Sequence, residues 1–467
     1  MVSAPSLVPF PPDFLWGVAT SAPQIEGAAD ERGVSNWDFF AATPGKVHGG
    51  DNLLVACDHV HRYREDVALM RDLGVNAYRF SIAWPRVEPG ATGTFSAEGL
   101  GFYDRLVDEL VGAGIDPVAT LYHWDLPVEL DRIGGWTNRD LASRFVDYAL
   151  AVHDRIGDRV TMWATHNEPW CTAFLGYAAG VFAPGETDGA AGIAAVHHLL
   201  LSHGLAVQAL RDAGAEQLGI VINTMPVHAQ PGGGPALDDA VRRVDGLFTR
   251  VWLDPLLTGT YPDDVREDVA PWLDDVVRAG DLDVISTPMD WLGVNYYHDD
   301  FYEAAEPGVD DGASQPGWPW VNVTGARYAP AGDDATDIGW PITPDGLRAH
   351  LVRLRADYPH LPPVHITENG AAYDDPMAAD GTIDDARRVA YLAAHIRAIA
   401  AARAEGVDVR GYFAWSLMDN FEWAEGYAMR FGLVHVDFET LVRTPRRSAH
   451  WYGDFLRAGA PLAALEP

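Results

Sequence analysis

The chain has 467 residues, 48% of them hydrophobic and 21% charged, which is ample to bury a large core in one long domain or in two or three shorter ones. Its formal net charge is −34 and Lys46 is the single lysine, so the surface repels nucleic acid and anionic lipid, and no partner of either kind is expected. Cys57 and Cys171 are too few for a disulfide framework, no apolar run of about 18 residues is uninterrupted, and residues 1–13 lack a basic stretch followed by an apolar one, so a cytoplasmic protein without a membrane partner is expected.

Strand-like apolar runs alternate with helical segments along almost the whole chain. The first strand is expected at residues 14–19. A helix with Tyr63, Val67, Met70 and Leu73 on one face follows. A second strand at 77–82 leads to a helix through Leu110 that stops at Gly112-Ala113-Gly114, as a glycine cap would stop it. The third strand, 117–122, precedes a helix with Leu141, Phe145, Ala149, Val152 and Ile156 on one face. Strands at 162–165, 218–223 and 291–296 come next. Residues 298–340, rich in Gly, Pro, Asp and Ala and without a clear period, read as an insertion folded over one face. Thr343-Pro344-Asp345 opens another helix, with a capping threonine and a proline in the first turn. The last strands are expected at 364–367 and 411–415.

Several of these runs are continuously apolar, as buried parallel strands are. Eight strand–helix units favour a closed (β/α)8 TIM barrel, an α/β fold, over an open sheet. No Gly-x-Gly-x-x-Gly follows the first strand, which counts against a dinucleotide fold. The chain is therefore divided into an N-terminal segment (1–13), one barrel domain with long βα loops (14–457) and a C-terminal tail (458–467).

Active sites of such barrels lie at the C-terminal ends of the strands. Every expected strand delivers unusual polar or aromatic residues there. These are Gln24, Arg79, His123-Trp124-Asp125, Asn167-Glu168, Asn223, Asn295-Tyr296-Tyr297, Glu368-Asn369, and Trp415-Ser416 with Glu422-Trp423 just beyond. Glu168 and Glu368 each close an apolar run beside an asparagine, a poor choice for a core and a natural one for a catalytic rim. Two carboxyls facing one acetal carbon supply an acid for the leaving oxygen and a nucleophile or a base for the opposite face. Arg79 would keep a neighbouring glutamate ionised. Sugar hydroxyls need planar polar partners, and an apolar ring face needs an aromatic platform, for which Trp415 is the candidate. A regular pleat sends Asn167 and Glu168 to opposite faces, so the fourth strand is expected to break or bulge there. The pairs His59/His61 and His197/His198 do not share a helical face and are expected to be structural. Cys171 is expected to be a small buried thiol. No metal or cofactor is expected.

Six segments together resemble glycoside hydrolase family 1, the β-glucosidase family. They are Phe14-Leu15-Trp16-Gly17, Tyr78-Arg79-Phe80-Ser81, His123-Trp124-Asp125-Leu126-Pro127, Asn167-Glu168-Pro169, Thr367-Glu368-Asn369-Gly370, and Glu422-Trp423-Ala424 leading to Arg430-Phe431-Gly432. The resemblance implies that Glu168 is the acid/base and Glu368 the nucleophile of a retaining mechanism. It implies that Gln24, His123, Asn167, Glu422 and Trp423 hold the terminal sugar while Trp415 stacks on it. Trp124 and Phe431, from the same motifs, join the substrate-binding set. Arg79, Asn295 and Tyr297 would position and tune the nucleophile.

Three positions depart from the family pattern: Pro23 before Gln24, His166 before Asn167, and Asn36 before Trp37. His166 is expected to lie behind the sugar. A branch of the family acts on 6-phosphosugars and replaces the glutamate found here at 422; an anionic Glu422 would repel a phosphate, so unphosphorylated glycosides are expected. A small β-glycoside or oligosaccharide is thus the expected partner, with β-galactoside or β-fucoside turnover, a non-catalytic sugar-binding role and homo-oligomer formation as open alternatives.

Overall fold

The computed structural model describes residues 7–305 and 317–465. Residues 1–6 of the expected N-terminal segment, 306–316 of the expected insertion and 466–467 of the expected tail lie outside the described residues.

The barrel strands are β1 (Leu15–Ala19), β2 (Ala77–Ser81), β3 (Asp116–Tyr122), β4 (Met162–Asn167), β5 (Leu218–Asn223), β6 (Trp291–Asn295), β7 (Val364–Asn369) and β8 (Val409–Trp415). They close in the order β1-β8-β7-β6-β5-β4-β3-β2, and neighbouring strands run parallel. Every residue of β2, β4, β5, β6 and β7 is buried. Both faces of a barrel strand are covered, by the barrel interior and by the helices, and this accounts for continuous rather than alternating apolar runs. Inside the barrel, large side chains sit beside small ones. Phe413 of β8 fills the space over Gly17, where a Cβ would come within 2.3 Å of its ring.

The outer layer contains α1 (His59–Leu73), α2 (Ala97–Gly112), α3 (Leu141–Ile156), α4 (Gly189–Asp212), α5 (Gly234–Asp245), α6 (Pro344–Asp357), α7 (Ala386–Ala404) and α8 (Arg447–Arg457). The expected faces of α1 and α3 are the buried ones. Helix α2 ends as expected near Gly114, whose φ of +74° is the left-handed conformation that favours glycine. The expected cap on α6 is corrected: Pro344 occupies the first turn, but Thr343 makes no side-chain cap. Its hydroxyl instead accepts the Asp299 N–H at 2.8 Å, tying the helix start to the loop after β6. The expected lack of an uninterrupted apolar run holds, since His197, His198, Ser202 and His203 break the most apolar helix. Helix α4 is long and apolar enough to cross a membrane by length and composition. It is apolar because most of it is buried, against α3, β4 and β5.

The residues after β5 and β6 build a small three-stranded sheet that sequence periodicity did not reveal. Val227–Ala229 pairs parallel with Asp300–Ala304, which pairs antiparallel with Ala326–Tyr328. At three to five residues each, these strands are too short to show a period.

Candidate active site

Two strand irregularities create the site. The β4–β5 register slips between Ala164 and Asn167, and the β7–β6 register slips between Ile366 and Glu368. Each slip breaks the alternation of faces at the strand end. At β4 it lets Asn167 and Glu168 both turn inward, as expected. Glu168 leaves the strand with a φ of +42° while its N–H still reaches the Val221 carbonyl at 2.8 Å. Just beyond β7, Gly370 has room for no side chain, because a Cβ there would sit 1.7 Å from the Trp415 carbonyl oxygen. That close approach brings the end of β8 against the loop that follows Glu368.

Glu168 and Glu368 line one cavity of about 830 Å³. His123, Trp124, Asn295, Tyr297, Trp415, Glu422, Trp423 and Phe431 line it too. Behind the wall, Arg79 is fully buried and forked. One terminal nitrogen donates to Glu368 Oε1 at 2.6 Å, the other to Asn167 Oδ1 at 2.6 Å, and its Nε donates to the Thr120 hydroxyl at 3.2 Å. Tyr297 donates its hydroxyl to Glu368 Oε2 at 2.7 Å. Asn295 touches both sides of the pair: its amide nitrogen donates to Glu168 Oε1 at 2.6 Å and to Asn167 Oδ1 at 3.0 Å, and its amide also favours the ionised form of Glu368. The two glutamates are thereby joined through Arg79, Asn167 and Asn295.

This network separates the two carboxyls electrostatically. Burial, then the charge of Glu368, pushes Glu168 up to about 8, so it keeps its proton near neutral pH. Burial raises Glu368 as well, but the Arg79 cation and the donors around it work against burial there. With a guanidinium at 2.6 Å on one carboxyl, the negative charge of the pair settles on Glu368.

Asn167 also fixes a tautomer. Its Oδ1 accepts from Arg79 and Asn295, so its Nδ2 faces His123 Nε2 at 3.0 Å. Nε2 then accepts, and the hydrogen of the neutral ring is on Nδ1, which has no partner among the described residues. Burial and the Arg79 charge hold His123 well below the usual histidine range, so the ring stays neutral. Glu422 Oε2 and Asn223 Oδ1 are likewise buried without a partner among the described residues. Unmatched donors and acceptors on an aromatic-lined wall suit a ligand with many hydroxyls. Burial beside Glu368 and Glu168 pushes Glu422 well above the usual carboxylate range.

Gln24 stands apart from the lining residues. Pro23 sits in the first turn of the short helix Ala22–Ile25 that carries it. Its amide nitrogen donates to Asn420 Oδ1 at 3.0 Å and to the Phe421 carbonyl at 2.9 Å, and its oxygen accepts from Ser21 at 2.5 Å. It braces the loop that presents Glu422. Asn36 does similar work, accepting the Leu126 N–H at 3.1 Å next to the His123–Asp125 turn. The paired histidines are structural: His59 bonds Asp66, His61 bonds Asp58, His197 bonds Asp281 and Tyr261, and His198 meets the Trp136 carbonyl.

Sequence reasoning missed the outer half of the cavity, formed by Trp170, Phe248, Trp320, Tyr328 and Trp340 among others. No spacing signal joins these positions, because they come from three separate segments, those after β4, β5 and β6. It also missed a contact of Cys171, whose thiol lies 3.2 Å from Glu168 Oε2.

The family model described as Glycosyl hydrolase family 1 matches residues 7–460. The Thermostable beta-glucosidase B of Thermobispora bispora is 50% identical over 453 residues, 96% of this chain and 90% of that protein. A Bifunctional beta-D-glucosidase/beta-D-fucosidase of Bifidobacterium breve is 45% identical over 96% of this chain and 98% of its own length. Among solved structures, the psychrophilic beta-glucosidase BglU from Micrococcus antarcticus superposes with a TM-score of 0.93 at 50% identity, covering 97% of this chain and 98% of that one.

Proposed function

The chain belongs to glycosyl hydrolase family 1, and on that premise we propose that it is a retaining, exo-acting β-glucosidase that releases terminal glucose from cellobiose, short oligosaccharides or aryl β-glucosides. The observation that carries this reading is the placing of two carboxyls in one cavity with unlike partners, Glu368 paired to the Arg79 guanidinium and Glu168 held by the neutral Asn295 amide.

In the first step, Glu168 gives its proton to the glycosidic oxygen as the bond from that oxygen to the anomeric carbon breaks. The Glu368 carboxylate bonds to the same carbon from the opposite face, and the aglycone leaves as an alcohol. Esterified, Glu368 no longer carries a charge, so the repulsion that kept Glu168 protonated disappears. Glu168 then takes a proton from water, whose oxygen attacks the anomeric carbon and frees Glu368. His123, Glu422 and Asn223 supply hydrogen-bonding groups for hydroxyls, and Trp415 and Trp423 supply apolar faces. The bifunctional relative supports a second activity on β-fucosides, since one altered hydroxyl changes only a few hydrogen bonds.

Glu368→Gly with azide tests the assignment. The variant should be inactive on aryl β-glucosides and, with azide added, should form α-glucosyl azide. A β-configured azide, or no rescue, would remove Glu368 from the nucleophile's role. Turnover of aryl β-glucoside, β-galactoside, β-fucoside and β-glucoside 6-phosphate ranks the sugars.

A further inference from the structure

Glu168 has a different partner on each oxygen. Asn295 donates to Oε1 at 2.6 Å, and the Cys171 sulfur lies 3.2 Å from Oε2. The Asn295 amide cannot be turned around. Its own oxygen accepts the Thr367 hydroxyl at 2.7 Å, and its nitrogen also serves Asn167 Oδ1. Oε1 therefore always faces a donor and cannot carry the acid proton. The proton of a neutral Glu168 belongs on Oε2, the oxygen beside the thiol.

The backbone fixes that thiol. Cys171 N–H donates to the Glu168 carbonyl at 2.9 Å, closing a turn over Pro169 and Trp170. The π-helical turns Cys171–Ala178 begin at that residue. Wide turns of this kind recur at functional sites, where they re-aim a side chain. The side chain is buried, and burial together with the nearby Glu168 holds the thiol far from ionisation, so it remains an S–H donor.

We propose that Cys171 is a positioning residue for Glu168, resting on the assignment above: it grips Oε2 opposite the Asn295 grip on Oε1, and its S–H turns to donate to Oε2 once the acid proton has left. A thiol is both a weak donor and a weak acceptor. It tolerates the protonated oxygen in the first step and stabilises the bare one when Glu168 acts as base in the second. An aliphatic side chain would leave the base unsupported. The titratable groups that face Glu168 are Glu368 on β7, Arg79 on β2, Glu422 beyond β8, Tyr297 beyond β6 and Cys171 itself. Among the described residues, Cys171 alone donates to Oε2.

Cys171→Val keeps the bulk and loses the donor, Cys171→Ala loses both, and Cys171→Ser keeps a donor. Rates are read against pH on a phenyl β-glucoside, whose poor leaving group needs the acid, and on 2,4-dinitrophenyl β-glucoside, whose turnover is limited by the second step. Loss of one such hydrogen bond should raise the basic limb of kcat/KM for the phenyl glucoside by about half a pH unit to one unit. It should also lower kcat for the dinitrophenyl glucoside about three- to tenfold in Cys171→Val, with Cys171→Ser recovering most of both. Valine and wild-type profiles that superpose would overturn the proposal. So would serine and valine variants that shift alike, since packing would then be the cause. If Cys171→Ala does not fold, the valine and serine pair still decides. Azide rescue of Glu368→Gly separates the two levels: if it fails, the carboxyl assignment falls, and if it succeeds while the Cys171 profiles stay put, only the thiol's role falls.

Discussion

Arg79 binds four neighbours with one guanidinium: Glu368, Asn167, Thr120 and the Thr367 carbonyl. It does not line the cavity, yet it decides which carboxyl is charged. Removing one partner of a buried ion pair leaves the other charge uncompensated, at a cost of about 3–5 kcal/mol. Glu368 escapes that cost by holding a proton. The sign follows: Arg79 favours ionised Glu368, so Arg79→Met should move the acid limb of kcat/KM to higher pH. An opposite charge at this range lowers a carboxyl pKa by about 1–3, so the acid limb should move up by about that many pH units and the rate at neutral pH should fall with it. An acid limb that stays in place would show that the hydroxyl of Tyr297 suffices. The identities of Arg79, Glu168 and Glu368 were legible in the sequence, since each is a charged residue in an apolar run. The pairing of Asn295 with Glu168 was not, because it depends on how far two strand ends protrude.

Strand β4 works on two faces. Its bulged end sends Asn167 and Glu168 inward, while His166 points out toward the helices. There the ring stacks on Phe145 of α3 at 4.6 Å and its Nε2 meets the Ser202 hydroxyl of α4 at 2.8 Å. His166 thus lies in the strand–helix interface behind the site. Burial pushes its pKa well below the ordinary histidine value. The unfolded chain takes up a proton below about pH 6.5 and the folded one resists it, so stability is unaffected above that pH and is lost as pH falls below it. His166→Leu should therefore lose less melting temperature than wild type on acidification from about pH 6.5, with relative turnover of glucoside and galactoside changed less than about twofold. An unchanged melting temperature and pH profile would sink this account. The helices were readable from period because one face of each is wet. The short strands near residues 227, 302 and 327 were not, because pairing with one another is what makes them strands.

At the scale of the molecule, 67 acidic side chains face 33 basic ones. Many arginines are committed to ion pairs, such as Arg242, Arg250 and Arg353 with Asp239, Asp264 and Asp245. The carboxylates left over repel one another across the surface. Raising salt from about 10 mM to about 150 mM shortens the screening length from about 30 Å to about 8 Å and weakens that long-range repulsion more than it weakens contact pairs. The melting temperature should therefore rise by a few degrees over that range. A fall would mean that the surface pairs contribute more than the net charge takes away.

Residue order alone was enough to expect the barrel, the candidate site at its strand ends and the two glutamates there. Eight apolar strands need eight covering helices, and a charged group in such a strand has nowhere to go but its open end. The tertiary structure decided which oxygen of which glutamate each neighbour holds, the aromatic outer wall and the thiol at Glu168. Those depend on strand bulges and on loops meeting across the barrel mouth, where partners far apart in the chain approach to within a hydrogen bond and leave no periodic trace in its order.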